Sequence, residues 1–127
     1  MDEIRVVAAV IRRGGRVLLG RRPEHKRHGG LWEFPGGKVH EGETDFQAVE
    51  RELAEELELR TVSVGSVLFE SADPESPFLI RFVEVEVDGD PTALEHAEIG
   101  WFDPGALQDL PLAPSDARFI VQHLLAP

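Results

Sequence analysis

Three glutamates on one predicted helix are the residues of this chain best suited to chemistry. Glu52, Glu55 and Glu56 stand at positions i, i+3 and i+4, a spacing that places their carboxylates on one face of a helix. A solvated acidic face is the simplest interpretation of such a cluster. Clustered carboxylates beside a backbone carbonyl are also the ligands that Mg²⁺ prefers. The cluster is therefore a candidate site for a divalent cation.

The helix that carries these glutamates is the most clearly marked element of the sequence. Residues 44–58 are predicted to be helical, with Thr44 and Gln47 forming a capping box at the start. An apolar stripe at helical spacing borders the glutamates; it consists of Phe46, Val49, Leu53 and Leu57. A glycine-rich loop that contains Glu41 and Glu43 leads into the helix. The carboxylates are therefore expected at a loop–helix junction, only partly in contact with water.

The remaining elements indicate a mixed sheet with helices packed against it. Strands are predicted at residues 6–11, 16–20, 31–34, 62–69, 78–87 and 99–102. Gly14 and Gly15 join the first two strands as a hairpin, and Pro35 to Gly37 is predicted to interrupt the chain after the third. A helix is predicted to begin at Pro104. A closing helix over 115–125 is expected to bury Phe119, Ile120, Leu124 and Leu125. This order predicts an α/β fold.

Composition excludes several classes of protein. The 127 residues are 42% hydrophobic and 29% charged, which is typical of one globular domain, here taken as residues 1–127. Cysteine is absent, so disulfides, thiolate zinc sites and a cysteine nucleophile are excluded. No apolar run approaches the ~20 residues that span a bilayer, and the charged N-terminus does not resemble a signal peptide. A cytoplasmic protein without membrane partners is expected.

The charge distribution argues against a nucleic-acid polymer as the partner. The net charge is −11, but residues 1–38 hold nine basic and four acidic residues. Three of these basic residues, Arg22, Lys26 and Arg27, stand in a polar segment before Leu31 that also contains two histidines. A chain this acidic has little general affinity for phosphate backbones. It can still bind a small polyanion when cations bridge the two, so a nucleotide is a suitable partner. Solubility is the alternative explanation of the acidity.

Residues 37–59 resemble the Nudix box. In this pattern a glycine is followed after five residues by a glutamate, and after seven more by Arg-Glu-apolar-x-Glu-Glu-x-Gly-apolar. Gly37, Glu43 and the segment that begins at Arg51 match it. Glu58 departs from the pattern, because it stands where the family has a glycine that shapes the helix end. The departure concerns the geometry of the helix C-terminus and not the acidic positions.

The resemblance implies a Nudix-type α/β/α sandwich and hydrolysis of a nucleoside diphosphate linked to a further group, with Mg²⁺ or Mn²⁺. By motif match the metal ligands would be the Gly37 carbonyl and three carboxylates, those of Glu52, Glu55 and Glu56. Glu95, six residues before Trp101, matches a loop carboxylate of the MutT-like branch that also reaches the metal; it is alternatively a surface residue. Glu43 and Arg51 match a pair that braces the loop against the helix. Alternatively, Arg51 pairs with Glu55 at i, i+4.

Segments outside the box resemble the MutT-like branch, which cleaves nucleoside triphosphates to a monophosphate and pyrophosphate. Leu112 to Asp116 is most similar to its CTP pyrophosphohydrolase subgroup, which also takes modified pyrimidine and oxidised purine nucleotides. By this resemblance Arg22, Phe34, Ser115 and Asp116 would contact the nucleotide, and Lys38 a phosphate. Four of these five residues have a plainer alternative: surface positions for Arg22 and Lys38, a core position for Phe34 and a helix cap for Asp116.

Three functions are compatible with these residues. The first is a triphosphate pyrophosphohydrolase that acts on CTP or dCTP or on oxidised nucleotides, with a role in nucleotide pool sanitation. The second is a nucleotide-sugar pyrophosphatase of the ADP-ribose type, and the third is a non-catalytic nucleotide-binding module. For the enzymes, Glu55 or Glu52 is the expected general base, with Glu95 as a further candidate. The five histidines lack metal-ligand spacing and are expected at the surface. The chain is expected to be a monomer or a homodimer.

Overall fold

The computed structural model describes residues 3–72 and 76–125. Seven strands lie in one mixed sheet: β1 (Ile4–Arg13), β2 (Arg16–Arg21), β3 (Trp32–Glu33), β4 (Gly36–Lys38), β5 (Arg60–Ala72), β6 (Phe78–Asp88) and β7 (Glu98–Phe102). The helices are α1 (Asp45–Leu57) and α2 (Pro114–Phe119), which continues into a π-helical turn (Ile120–Leu124). A 3₁₀ helix (Pro104–Asp109) follows β7. The mixed sheet with helices confirms the expected fold class.

Strand β1 is the centre of the sheet. Its residues Val7 to Ile11 are buried on both faces, as expected for a strand covered on each side. It pairs in parallel with β6, which separates it from the edge strand β5. It also pairs in antiparallel fashion with β2 near the hairpin and with β4 farther along. The sheet therefore divides between β1 and β2: β4 pairs with β1, whereas β7 pairs with β2.

Two cores lie on opposite faces of β1. Val7, Ala9 and Ile11 pack against α1 through Leu53 and Leu57. On the other face, Ala8 and Val10 contribute to a second core with an aromatic cluster, formed by Trp32, Phe34, Phe82 and Phe119. The alternation of side chains along a strand divides the two sets. This arrangement is the α/β/α sandwich.

Helix α1 follows the predicted boundaries closely. The Thr44 Oγ1 accepts a hydrogen bond from the Gln47 N–H at 3.1 Å, and the Gln47 Oε1 accepts one from the Thr44 N–H at 2.9 Å. The predicted capping box is therefore confirmed. The predicted apolar stripe is wrong at one position. Phe46 is 39% exposed, and Ala48 is instead the buried residue in this turn of the helix.

Strand β4 and the closing helix differ from the prediction. Strand β4 forms where an interruption was predicted, because the exposed edge of β1 supplies partners for Gly36 to Lys38. The predicted closing helix is α-helical only as far as Phe119. It continues as a π-helical turn, in which the Leu125 N–H donates to the Ile120 carbonyl at 2.9 Å.

No helix within residues 3–72 and 76–125 combines the length and apolar character needed to cross a membrane.

Candidate active site

The glutamate cluster of α1 faces strand β4. Glu56 is buried, Glu52 is half-buried and Glu55 is exposed. The Glu56 Oε2 accepts a hydrogen bond from the Gly36 N–H at 3.0 Å. The Glu52 carboxylate lies against Gly37, where a Cβ would be 2.7 Å from its Oε2. Two of the three predicted carboxylates are thus held against the glycine pair of β4.

Burial gives the two inner carboxylates unusual proton affinities. Loss of water, together with the neighbouring negative charges of Glu52, Glu33 and Glu95, raises the pKa of Glu56 to about 9. Burial likewise raises the pKa of Glu52, although the Arg51 guanidinium partly opposes this. The site concentrates negative charge in a poorly hydrated place. A divalent cation there would relieve the repulsion and favour the ionised carboxylates.

Arg51 joins the loop to the helix. Its Nε and Nη2 donate to the two Glu43 oxygens at 2.9 and 3.0 Å. Nη2 also donates to the Lys38 carbonyl at 2.9 Å, and Nη1 to Glu52 Oε1 at 2.8 Å. The bonds from Arg51 to Glu43, followed by the bond from the His40 N–H, lower the pKa of Glu43 to about 2. The alternative partner Glu55 is 3.8 Å away, so Arg51 contacts Glu43 more closely than Glu55.

Glu95 is exposed on the loop before β7. The Thr92 N–H donates to the Leu57 carbonyl at 2.8 Å, and the Leu94 N–H donates to the Glu56 carbonyl at 3.0 Å. These two bonds hold the loop against the C-terminal end of α1. Glu95 therefore lies close enough to the cluster for its charge to raise the pKa values of Glu52 and Glu56.

The oxygen atoms of the predicted ligands suit a hard cation, but their side chains do not converge on one position. Carboxylate and carbonyl oxygens are the ligands of Mg²⁺ and Mn²⁺, and a cation would offset the charge repulsion around Glu56 once its carboxyl group is ionised. Within the described residues, however, no three carboxylate or imidazole groups are close enough as they stand to hold a metal ion. Glu55 and Glu95, both exposed, would have to turn inward. The five predicted ligands, Gly37 included, therefore stay a prediction.

Two cavities adjoin at Arg22 and Glu33, and the smaller of them reaches the glutamate cluster at Glu56. The small cavity encloses about 380 Å³, and Glu56, Glu95 and His96 line it. The large cavity encloses about 530 Å³ between α2, the ends of β5 and β6, and the segment after β2. Arg22 and Glu33 line both cavities, and their side chains form an ion pair at 3.1 Å. The acidic cluster and a cavity large enough for a nucleoside are thus separated by a single ion pair.

Most of the predicted nucleotide contacts line the large cavity. Arg22, Lys38, Ser115 and Asp116 are all among its wall residues. The Lys38 Nζ lies 5.7 Å from the centre of the Phe78 ring in the same wall. The Arg22 Nε also donates to the Arg27 carbonyl at 2.6 Å.

Phe34 is the exception among the predicted contacts. Its side chain is 3% exposed and packs edge-on against Phe82 and Phe119 in the second core. It lines neither of the two cavities. The core alternative describes its ring, and a contact between Phe34 and the base stays a prediction.

Asp116 is held by a backbone N–H of the residue that follows β3. It is buried, and its Oδ1 accepts a hydrogen bond from the Phe34 N–H at 2.8 Å. Burial raises the pKa of Asp116 to about 7 against the opposing effect of this bond. The side chain can therefore accept a hydrogen bond as a carboxylate or donate one as an acid near neutral pH.

The sequence prediction missed four residues of the cavity walls. Glu33 links Arg22 to His96, whose Nε2 is 3.1 Å from the Glu33 Oε2. The His96 side chain is 4% exposed, so its predicted surface position is wrong. Ser71 and Arg118 line the large cavity and bond to each other. One local signal could have identified Glu33. Successive side chains of a strand point to opposite faces, so Glu33 points away from the core that Trp32 enters.

The chain matches known proteins over almost its whole length. A family model described as the NUDIX domain matches residues 1–123. The chain is 40% identical over 119 residues to "CTP pyrophosphohydrolase" of Escherichia coli, covering 91% of this chain and 87% of the relative. It is 36% identical over 122 residues to "8-oxo-dGTP diphosphatase" of Haemophilus influenzae, covering 92% and 88%.

A solved structure supports the same relationship. The structure of MutT studied in Aliivibrio salmonicida and Vibrio cholerae superposes with a TM-score of 0.82 at 29% identity, covering 95% of this chain and 96% of that one. The Glu52–Glu56 cluster and the loop braced by Arg51 stand in residues 37–59, the segment that resembles the Nudix box. The chain belongs to the Nudix hydrolase family and has a MutT-like fold.

Proposed function

We propose that this hydrolase cleaves nucleoside triphosphates to a nucleoside monophosphate and pyrophosphate, with CTP, dCTP or an oxidised nucleotide as substrate. The observation that carries the proposal is the wall shared by the two cavities. The Arg22–Glu33 pair separates the glutamate cluster from a cavity of about 530 Å³, so a nucleoside and its phosphates can occupy the two sides at once. The names of the two relatives, a CTP pyrophosphohydrolase and an 8-oxo-dGTP diphosphatase, support this substrate class.

The glutamate cluster is proposed to hold Mg²⁺ or Mn²⁺ through the Gly37 carbonyl and the carboxylates of Glu52, Glu55, Glu56 and Glu95. When bound, a divalent cation supplies positive charge beside the phosphates and increases the acidity of water. The chain's own contribution is to hold the carboxylates in place, through the Gly36 N–H on Glu56 and Arg51 on Glu52. A carboxylate that does not bond to Arg51 or Gly36 is better placed to accept a proton from water. This favours Glu55 over Glu52 as the general base, with Glu95 as the other candidate.

Charged and polar residues in the walls of the large cavity are proposed to contact the nucleotide. Lys38 stands one residue after Gly37 and lines the cavity wall, which suits contact with a phosphate oxygen. Asp116 and Ser115 present polar atoms at the opposite element, α2, where they can meet the edge of a base. The chain contains no asparagine, so an amide from that residue type is not used to read the base.

The test is product analysis across a substrate panel with Mg²⁺. The panel holds CTP, dCTP, 5-methyl-dCTP, 8-oxo-dGTP, the standard dNTPs and ADP-ribose, and pyrophosphate is measured separately from phosphate. Reaction in ¹⁸O-labelled water shows which phosphorus is attacked, because the label enters either the monophosphate or pyrophosphate. Pyrophosphate from one or two triphosphates is the expected result. Turnover of ADP-ribose alone would favour the nucleotide-sugar alternative and overturn the proposal.

Matched variants of the proposed metal ligands test the site in the same assay. Glu52→Gln, Glu55→Gln and Glu95→Gln each remove one charge with little change in shape. Glu50→Gln removes a charge from an exposed position of the same helix that faces neither cavity. We expect strong loss of turnover in the first three and wild-type turnover in Glu50→Gln. Equal activity of Glu52→Gln and Glu50→Gln would remove Glu52 from the metal site.

A further inference from the structure

A guanidinium bound to two hydroxyl groups forms one side of the large cavity. The Arg118 Nη2 donates to the Ser71 Oγ at 2.8 Å and to the Ser115 Oγ at 3.1 Å, and the two hydroxyls are 3.3 Å apart. All three residues line the cavity. They come from different elements, since Ser71 lies on β5 whereas Ser115 and Arg118 lie on α2. The cluster therefore joins the helix to the edge strand at the cavity wall.

The two serines fix the Arg118 side chain but do not use all of its donors. A guanidinium has five N–H groups, and both bonds to the serines come from Nη2. The remaining three groups, on Nε and Nη1, are not engaged by the serines. Ser71 is 5% exposed, so the anchor is buried and restricts the rotation of a long side chain. The serines thus hold the planar guanidinium in place beside the cavity. A ligand that binds it would therefore cost little further side-chain entropy.

The other two arginines of the cavity are placed differently. Arg22 is bound by Glu33 and by the Arg27 carbonyl, and it lines the small cavity as well. Its position at the shared wall suits the phosphates. Arg27 is exposed on the segment after β2. Arg118 is thus the arginine that is anchored beside Ser115 and Asp116, the residues proposed to meet the base.

We propose that Arg118 determines specificity by donating a hydrogen bond to a ring carbonyl of the base, so that the cavity selects bases with a carbonyl against adenine. This inference rests on the proposed function, because it assigns the base to the large cavity. Cytosine and oxidised guanine carry ring carbonyls, whereas adenine carries none. A base without that acceptor would cover the guanidinium and leave it without its partner. The unpaired guanidinium discriminates strongly against such a base, because a polar group that loses its contact with water needs another hydrogen-bond partner.

The experiment compares dCTP and dATP in wild type, Arg118→Met and Arg118→Gln. Methionine keeps the apolar stem and removes every donor, whereas glutamine keeps a neutral donor. We expect kcat/KM for dCTP to fall roughly ten- to a hundred-fold in Arg118→Met, with dATP nearly unchanged. Arg118→Gln should lie between these values. The preference for dCTP over dATP should therefore fall in the order wild type, Gln variant, Met variant.

Binding of the monophosphate products gives a second readout that does not need turnover. Calorimetry with dCMP and dAMP should show the same loss of preference in Arg118→Met. If wild type cleaves no triphosphate, the proposed function fails, and the ratio of the two monophosphate dissociation constants still tests Arg118. Equal affinity of wild type for dCMP and dAMP overturns the inference. An equal loss for both bases in Arg118→Met also overturns it, because it indicates a structural or phosphate-binding role.

Arg60→Gln is the matched control. Arg60 begins the same strand that carries Ser71, and it pairs at 3.0 Å with Asp88 while its side chain is 76% exposed. An exposed pair of this kind contributes little to stability. This variant removes one guanidinium without touching the cavity, so both substrates should keep wild-type kinetics. A change in the dCTP to dATP ratio in Arg60→Gln would show that net charge, and not Arg118, sets the preference.

Discussion

The carboxylate of Glu52 occupies the space that a side chain on Gly37 would need. A Cβ built on Gly37 would lie 2.5 Å from the Glu52 Cδ and 2.7 Å from its Oε2, which is closer than such atoms approach. The Glu52 carboxylate can therefore keep this position only because residue 37 is a glycine. The two residues proposed as metal ligands are in this way placed by direct contact between their elements.

Gly37→Ala should displace Glu52 and impair catalysis more than stability. We expect kcat/KM to fall by about a hundred-fold, the order of loss that a displacement of roughly 1 Å at a reacting group produces. Steady-state kinetics with Mg²⁺ on the best substrate of the panel measures it. Gly105→Ala is the control, since a Cβ at Gly105 meets nothing within 4 Å. Wild-type kinetics in both variants would show that the contact does not position Glu52.

Glu58→Gly should stabilise the protein. Glu58 ends α1 in the left-handed conformation, with φ 56° and ψ 34°, at the position where the Nudix box has a glycine. A side chain is strained there, by about 1–2 kcal/mol, and glycine relieves the strain but adds entropy to the unfolded chain. We expect a net gain of about 0.5–1 kcal/mol in the free energy of unfolding, measured in urea. Glu58→Ala keeps a Cβ and should show no such gain; an equal gain would assign the effect to the lost charge.

The stability of the metal-free protein should fall as pH rises, because of Glu56. Burial raises the pKa of Glu56 to about 9, above its ordinary value of 4.5. Between these values the folded protein keeps a proton that the unfolded chain releases. The stabilising effect of that proton is complete below pH 4.5 and is lost as pH rises through 9, with a slope of at most about 1.4 kcal/mol per pH unit.

Glu56→Gln tests this pH dependence, since glutamine does not titrate. Urea unfolding in EDTA from pH 5 to 8 should show that the variant gains stability relative to wild type as pH rises. Glu50→Gln, at an exposed position of the same helix, should follow the wild-type curve. Parallel curves for Glu56→Gln and wild type would mean that Glu56 is ionised in the folded protein.

Gly20→Ala should destabilise the wall between the two cavities. A Cβ on Gly20 would lie 2.5 Å from the Cγ and Cδ2 of His96, so the imidazole must move away from Glu33. We expect a loss of about 1–3 kcal/mol in unfolding free energy, as for other cases of overpacking. Removing the imidazole removes the clash, so Gly20→Ala should cost much less in a His96→Ala background. Additive effects in this double-mutant cycle would contradict direct contact between the two residues.

Helix α1 was predictable because its signals are local. The capping box joins residues three apart, and the carboxylates share a face at spacings of three and four. The core positions Val49, Leu53 and Leu57 followed from the same period. Phe46 was predicted wrongly because the period gives a direction around the helix and not the extent of the surface that covers it.

The elements that failed were those whose stability comes from distant partners. Strand β4 has two glycines in three residues and little strand propensity of its own, and it forms because β1 offers an open edge. His96 stands in a polar segment, and no neighbour in the sequence indicates its burial. It is buried because Gly20, far away along the chain, leaves space for the ring.

The sequence by itself determined the family, the mixed α/β fold and the acidic cluster of α1, because motif spacing and helical periodicity are short-range properties. Only the tertiary structure decided which polar groups face the cavities. Glu33 and His96 are 63 positions apart, and Ser71 and Arg118 are 47 apart. Such pairs form where the sheet and α2 bring separate segments together. Their geometry depends on packing across the whole fold, which no local pattern of residues encodes.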